Sequence, residues 1–304
     1  MGSLTLNGAT SGAVTISPPA VAGTNTLTLP AATGTVLTTA GGQTVSGNTT
    51  ISGTLVMGSA FTMRNKIING AMVIDQRNAG ASLSVANTGV YSLDRWRISN
   101  SVSTVTVQQN SSIIPAGFGN SLSVTVSTTD STGSHAIQQY IEAFNTVDLA
   151  FGTSSASTFT LSFWVRSSVT GLYGVGFQNS ANNRSYVATY TINSANTWEQ
   201  KTITVSGDTG GTWLGATNGI GLVVEFDLGS SSAYNQTAGS WGTTSSARRT
   251  SSCVTWANNS GATFYITGVQ LEIGTAATPF EYRNYQQELA MCQRYYQTID
   301  GYFG

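Results

Sequence analysis

Charge is what this chain has least of: 12 Lys and Arg with 13 Asp and Glu make up 8% of its 304 residues, against ~25% in ordinary soluble domains. The formal net charge of -1 gives no basic field, so nucleic-acid binding loses its main electrostatic term and attraction to an anionic membrane surface fails with it. Cys253 and Cys292 are too few for a disulfide framework and read as two buried thiols, with a single bridge between them left open. No apolar run approaches the ~20 residues of a membrane span, and the opening MGSLTLNGATSG has neither the basic cluster nor the apolar run of a secretory signal or anchor. Synthesis in a cytoplasm, with no membrane insertion and no nucleic-acid partner, is the expectation.

What is present is an ordinary apolar fraction of 40%, enough for a sizeable core and too much for a disordered chain. The sharpest boundary is electrostatic. Met1 through Met63 contain no Asp, Glu, Lys, Arg or His, and Arg64 is the first charge. Within that stretch GAVTI, NTLTL, GTVLT, GNTTI and GTLVM repeat one theme, a Gly or Asn followed by apolar and Thr residues. This is strand chemistry punctuated by turns. Such short strands are marginal alone, which predicts an intertwined β stalk in which Val14, Ile16, Leu27, Leu29, Val36, Leu37, Val45, Ile51, Leu55 and Val56 share a core with sister chains. Like charges near a symmetry axis repel, so their absence fits a homo-oligomer.

From Arg64 onward STVTVQQ, SLSVTVS, TFTLSFWVRS, YGVGFQN, SYVATYTI, QKTITVSG, IGLVVEFDL and TFYITGVQLEIG alternate at period two between Gly and Ser turns. That pattern predicts an all-β antiparallel jelly-roll sandwich over residues 64–283. Over 284–304, Asn284 as cap and Gln287 at the capping-box position predict one short helix, with Leu289, Cys292 and Tyr296 on its packing face.

The phrases NKIINGAMVIDQR and YSLDRWRI, between Arg64 and Ile98, resemble the start of phage tail-fibre and tail-appendage domains. FTLSFWVRS, NTWEQKTITV, FYITGVQLEIGTAATPFEYR and MCQRYYQ, between Phe159 and Tyr296, are similar to the carbohydrate-binding jelly roll that follows in that family, and TLTLPAATGTVLTT resembles its repeat stalks. The resemblance implies a virion appendage: a homotrimer mounted on other virion proteins through its N-terminal part, attaching to a host cell-surface glycan. It also implies that a distal tip beyond Gly304 is missing or carried by another protein.

Read from the residues alone, the same motifs are mainly structural. Trp96 and Trp164 alternate with apolar residues and are expected in the core. Asp94 with Arg95, and Asp75 with Arg77, are expected to form exposed ion pairs, and Glu281 and Arg283 surface or interchain contacts, behind a Pro279 that ends the ladder and a Phe280 that packs back. His135, the single histidine, has no nucleophile elbow or cysteine cluster beside it and reads as structural.

A polysaccharide depolymerase is the enzyme to weigh, and it needs paired carboxylates. Glu225 and Asp227 share a strand face and resemble the start of the ExDxxE pattern of one jelly-roll glycosidase class, but Ser230 stands where its last acid belongs. They are expected as solvated carboxylates, and no catalysis is expected. No cofactor is implied beyond a structural calcium, for which Glu225, Asp227 and Glu272 are the weak candidates. Binding residues are sought in the long polar insertion Gly229–Arg249, where Tyr234, Asn235, Gln236 and Trp241 would stack on and hydrogen-bond a sugar and Arg248 and Arg249 would meet its acidic groups; Trp213 is a further stacking candidate. A purely architectural virion component, a connector or head fibre, is the alternative.

Overall fold

The computed structural model describes residues 4–7, 13–16, 63–86 and 89–298. Contacts divide the chain into Met1–Met57 and Gly58–Gly304. In the first unit β1 (Leu4–Asn7) and β2 (Ala13–Ile16) form an antiparallel pair with Leu4 opposite Ile16. The other stalk positions named above, Leu27 through Val56, lie outside the described residues.

The second unit is a sandwich of two antiparallel sheets. One sheet holds, in spatial order, β14 (Trp241–Gly242), β11 (Ser185–Ile192), β10 (Gly171–Gln178), β13 (Ile220–Asp227), β8 (His135–Glu142), β5 (Arg97–Asn100) and β4 (Gly89–Tyr91). The other holds β12 (Glu199–Val205), β9 (Phe159–Ser167), β15 (Thr263–Ile273), β7 (Ser121–Thr128), β6 (Thr104–Asn110) and β3 (Leu83–Ala86). Alternate residues of each strand point inward, as period two requires. Phe159, Leu161, Phe163 and Val165 of β9 meet Tyr173, Val175, Phe177, Leu222, Val224 and Phe226 across the core, with Phe163 edge-on to Phe226 at 5.0 Å. All eight strands read from the sequence are present. β8 was not foreseen: Gln138, Gln139 and Glu142 interrupt its apolar pattern, yet Ile137 and Ile141 carry it into the core.

α1 (Tyr285–Gln293) begins where expected, the Asn284 side chain accepting from Gln287 N at 2.8 Å. Cys292 is buried beside Ile68 and Ile74, with Leu289 half-buried against them. Both cysteines are buried free thiols, and burial pushes the Cys292 thiol pKa far up.

Several expected surface groups are interior instead. Arg64–Gln76 threads between β15 and β8: Lys66 N donates to Leu271 O, Val269 N to Gly70 O, and Gln139 brackets Ile68 from both sides. Asn69, in the left-handed region at φ 59°, is the hub of this lock. Its amide donates to Ile74 O and Asp94 O, its Oδ1 accepts from Ile74 N, and its own carbonyl accepts the Trp96 indole at 2.8 Å. A Cβ at Gly70 would lie 2.2 Å from Val269 O, so only glycine lets the two backbones meet.

Asp94 and Arg95 form no exposed ion pair. Asp94 is buried and accepts from Gln76, while Arg95 stacks on Tyr295 at 3.6 Å. Asp75 accepts from Asn78 and Gly80, and Arg77 lies on Tyr296 at 3.6 Å. Glu281 and Arg283, expected at the surface, clasp the Arg64–Ile67 backbone, because that backbone enters the fold without a strand partner for all its polar groups. Trp96 is fully buried, but Trp164 sits on the outward face of β9 and is only half-buried; its strand position, opposite in phase to Phe163 and Val165, puts it there.

Candidate functional site

The polar segment Gly229–Arg249 is an ordered strap lying over the outward face of the seven-stranded sheet. A 3-10 turn at Ser232–Tyr234 starts it, β14 pairs with the start of β11, and Ala247–Arg249 crosses β10. Glycine makes that crossing possible. A Cβ at Gly174 would stand 2.1 Å from Arg248 O, and one at Gly176 would stand 2.6 Å from Ala247 O. The glycines of YGVGFQ are therefore a track for the strap.

Beneath it lies a buried charge network. Glu225 and Asp227, expected in solvent, are 2% and 1% exposed, because the strap covers the face they share. Glu225 accepts from Gln138, from Gln178 and from Arg248 Nη1 at 3.3 Å. Asp227 accepts from Gly229 N and Ser230 N and lies 3.8 Å from both Arg248 and Arg249. Arg248 also donates to Ser230 Oγ and Ser134 Oγ, and its guanidinium rests 3.8 Å from the Tyr234 ring centre. Arg249 donates to the carbonyls of Ser230 and Cys253. Both arginines are consumed inside the fold, so the sequence expectation that they reach out to acidic groups is corrected: burial of a charge demands a partner, and each has one.

Beside the strap the sheet opens into a groove of about 410 Å³. Its floor comes from outward positions of β5, β8, β13 and β10: Ser99, Gln138 and Tyr140, Val223 and Glu225, and Gln178. Asn179, Ser180 and Asn182 of the β10–β11 turn form one wall, and Tyr234, Ser246 and Arg248 of the strap form another. Asn182 and Ser246 join the walls, Asn182 Nδ2 donating to Ser246 Oγ at 2.9 Å. Burial raises the Tyr140 phenol pKa despite nearby Arg97, so the hydroxyl keeps its proton.

Of the seven residues picked from the sequence, the structure brings two, Tyr234 and Arg248, into this groove. Trp213 and Trp241 meet each other edge-on at 5.5 Å around Phe151, with their indole nitrogens donating to Asp208 and to Ser206 O. Trp213 also lines a separate cleft with Leu214 and Val147. Gln236 ties the strap to Ser185, and Asn235 forms a backbone bridge with Arg249. Ser99, Ser134, Gln138, Tyr140 and Gln178 were missed. The available signal was Gln138, Tyr140 and Gln178, which stand opposite in phase to the apolar Ile137, Ile141, Val175 and Phe177 of their strands.

No three His, Cys, Asp or Glu groups cluster as a metal site among the described residues. The calcium candidates all face cations: Glu225 and Asp227 as above, and Glu272 lies 3.4 Å from Arg64 Nε and accepts from Thr278. His135 lies 2.9 Å from Asp130 and 3.3 Å from Ser103, an order that imitates a hydrolase triad. Ser103 is fully buried and donates to Asn100 Oδ1, so no substrate reaches it.

No protein-family model and no curated protein matches the chain. Among solved structures, the enzymatically active domain of bacteriophage CBA120 tailspike protein 4 aligns over 69% of this chain, at TM-score 0.36 and 16% identity. A family 11 carbohydrate-binding module from Clostridium thermocellum, in complex with a β-1,3-1,4-mixed-linked tetrasaccharide, aligns over 63% of this chain and 97% of its own, at TM-score 0.32 and 13% identity. The CBM22-1–GH10 modules of xylanase 10B from the same organism, complexed with xylohexaose, align over 62% of this chain, at TM-score 0.33 and 10% identity. The chain spans 21% of the tailspike structure and 28% of the xylanase. Likeness at this level carries no argument about ligands, which must come from the groove itself.

Proposed function

We propose that the sandwich unit is a glycan-binding domain and that the chain is a phage virion protein, a tail fibre that attaches to the host surface. The observation that carries the binding half is the groove: hydroxyls, amides and two tyrosines gathered on one rigid sheet face, with the strap that forms its wall anchored by four buried charges. Sugars are recognised by such sets, ring faces against aromatics and hydroxyls against planar polar groups. The virion half rests on the tail-fibre phrases of Arg64–Ile98 and on the charge-free Met1–Met63, which in this reading joins three chains and links them to other virion proteins. Three modest sites on one axis then act together through effective concentration.

Within this reading the groove holds its ligand and does not cut it. Glu225 meets three protein donors, which leaves it a scaffold and not a free acid or nucleophile. Screening the purified full chain on arrayed oligosaccharides tests the proposal. Retention of a defined glycan, lost in Tyr234→Ala, supports it. Silence across host surface glycans favours the connector or head-fibre alternative, and release of reducing ends from host polysaccharide would mean a depolymerase.

A further inference from the structure

The donor and acceptor inventory of the groove goes further than the presence of a site. A carboxylate only accepts, so Glu225 obliges Gln138 and Gln178 to turn their amide nitrogens toward it. Their carbonyl oxygens therefore point the other way. That of Gln138 accepts from Arg97 Nη1 and the Tyr140 hydroxyl, while that of Gln178 accepts nothing among the described residues. The remaining side-chain nitrogens each have a protein partner: Asn179 Nδ2 donates to both Asn183 and Thr212 O, Asn182 Nδ2 spends one of its two hydrogens on Ser246, and Arg248 spends three of its five on Ser230, Glu225 and Ser134.

Charge is balanced in the same place. Arg248 and Arg249 face Glu225 and Asp227, two cations against two anions. Arg97, which pairs with no acid among the described residues, stands outside the lining and donates to Gln138 and Tyr140. What the groove offers a ligand is a carbonyl acceptor at Gln178, the hydroxyls of Ser180 and Tyr234, and ring surface. The carboxylate of a uronate or sialate, and a phosphate, are acceptor-only and anionic; here such a group would find no unpaired cation in the lining.

We infer that the groove selects uncharged glycans, read through sugar hydroxyls that donate to the protein, and that Glu225 is a positioning residue that sets this preference without touching the sugar. The inference rests on the glycan-binding reading above.

The test is an array pairing neutral hexose, deoxyhexose and N-acetylhexosamine oligomers with hexuronate- and phosphate-bearing counterparts of the same linkage, probed with the full chain at low and high NaCl. Neutral retention at least about tenfold above the acidic partner, unchanged by salt, is expected, because screening acts on charge alone. Preference for acidic partners that fades with salt overturns the inference and leaves the glycan reading standing, whereas silence on both sets removes both. Glu225→Gln removes the anion that compensates Arg248, and is expected to narrow the neutral-over-acidic ratio. Should that variant fail to fold, Gln178→Met removes the free acceptor from the lining and is expected to weaken neutral binding about tenfold. An unchanged affinity there also overturns the inference.

Discussion

Two regions of the sandwich unit divide its labour. At the lock, Arg64–Gln76, Ser92–Trp96 and the C-terminal Glu281–Tyr296 are knitted by backbone-directed side chains, left-handed residues and arginines laid on tyrosines. At the groove, side chains bond mostly to one another and leave hydroxyls and a carbonyl uncovered. The two phrases that resemble the start of tail-fibre domains run through the lock, whereas the residues that would touch a ligand are scattered over four strands, the β10–β11 turn and the strap. A signature of this kind reports how the domain is closed, and a ligand preference has to be read from the opposite sheet face.

That contrast can be broken at its strongest point by Trp96→Ala. The indole is fully buried and bonds to Asn69 O, so a loss of about 3–5 kcal/mol in chemical unfolding is expected. Asn69→Ala should cost about 3 kcal/mol, since it strands buried carbonyls and puts alanine at positive φ. Asn69→Gly restores the backbone freedom but not the bonds, and should recover only part of that loss. Neither residue lines the groove, so glycan affinity measured below the unfolding transition should stay as it was. If Asn69→Ala abolishes affinity in a folded protein, the two regions are not separable.

Acid sharpens the comparison. The hydrogen bonds of Arg294, helped by Tyr295, hold the Glu142 carboxyl pKa below its ordinary value against burial, and at Asp208 burial is outweighed by Arg184, Gly210 N and the Trp213 indole. Depressed carboxyl values stabilise the fold above the unfolded value of ~4. That stabilisation is lost as pH falls through the lower folded values. Burial also lowers the His135 pKa, so melting temperature should decline modestly as pH falls through that group's unfolded value of ~6.5 and more steeply below ~4, with Glu142→Gln removing part of the lower slope. The smallest stability effect belongs to the groove rim. Tyr234→Ala should change unfolding free energy by about 1–2 kcal/mol, the scale of a cation–π contact to the buried Arg248, while lowering glycan affinity about tenfold.

Sheet class, eight strands and the capped helix were legible because period-two alternation and an Asn-x-x-Gln cap are local signals. β8 was not, since Gln138 and Gln139 point to opposite faces and mask the alternation of Ile137 and Ile141. Of the residues that line the groove, only Tyr234 and Arg248 were among those picked from the sequence. Arg248 and Arg249 read as surface charges because nothing local reveals that Gly174 and Gly176, some seventy residues earlier, clear a bed for them. Trp213 and Trp241 read as stacking platforms for the same reason: their partner Phe151 is distant in sequence. Charge pairing and aromatic contact are tertiary facts, and both moved candidates out of solvent.

The claim that the groove is where a glycan binds is tested most directly by hydrogen exchange, with and without whichever neutral oligosaccharide the array retains. Slower exchange in the segments around Ser99, Ser134–Tyr140, Gln178–Asn182 and Tyr234–Arg248, with the lock segment Asn65–Ile74 unaffected, is the predicted result. Protection confined to the lock, or to the cleft of Trp213 and Leu214, with the groove unchanged, would contradict it.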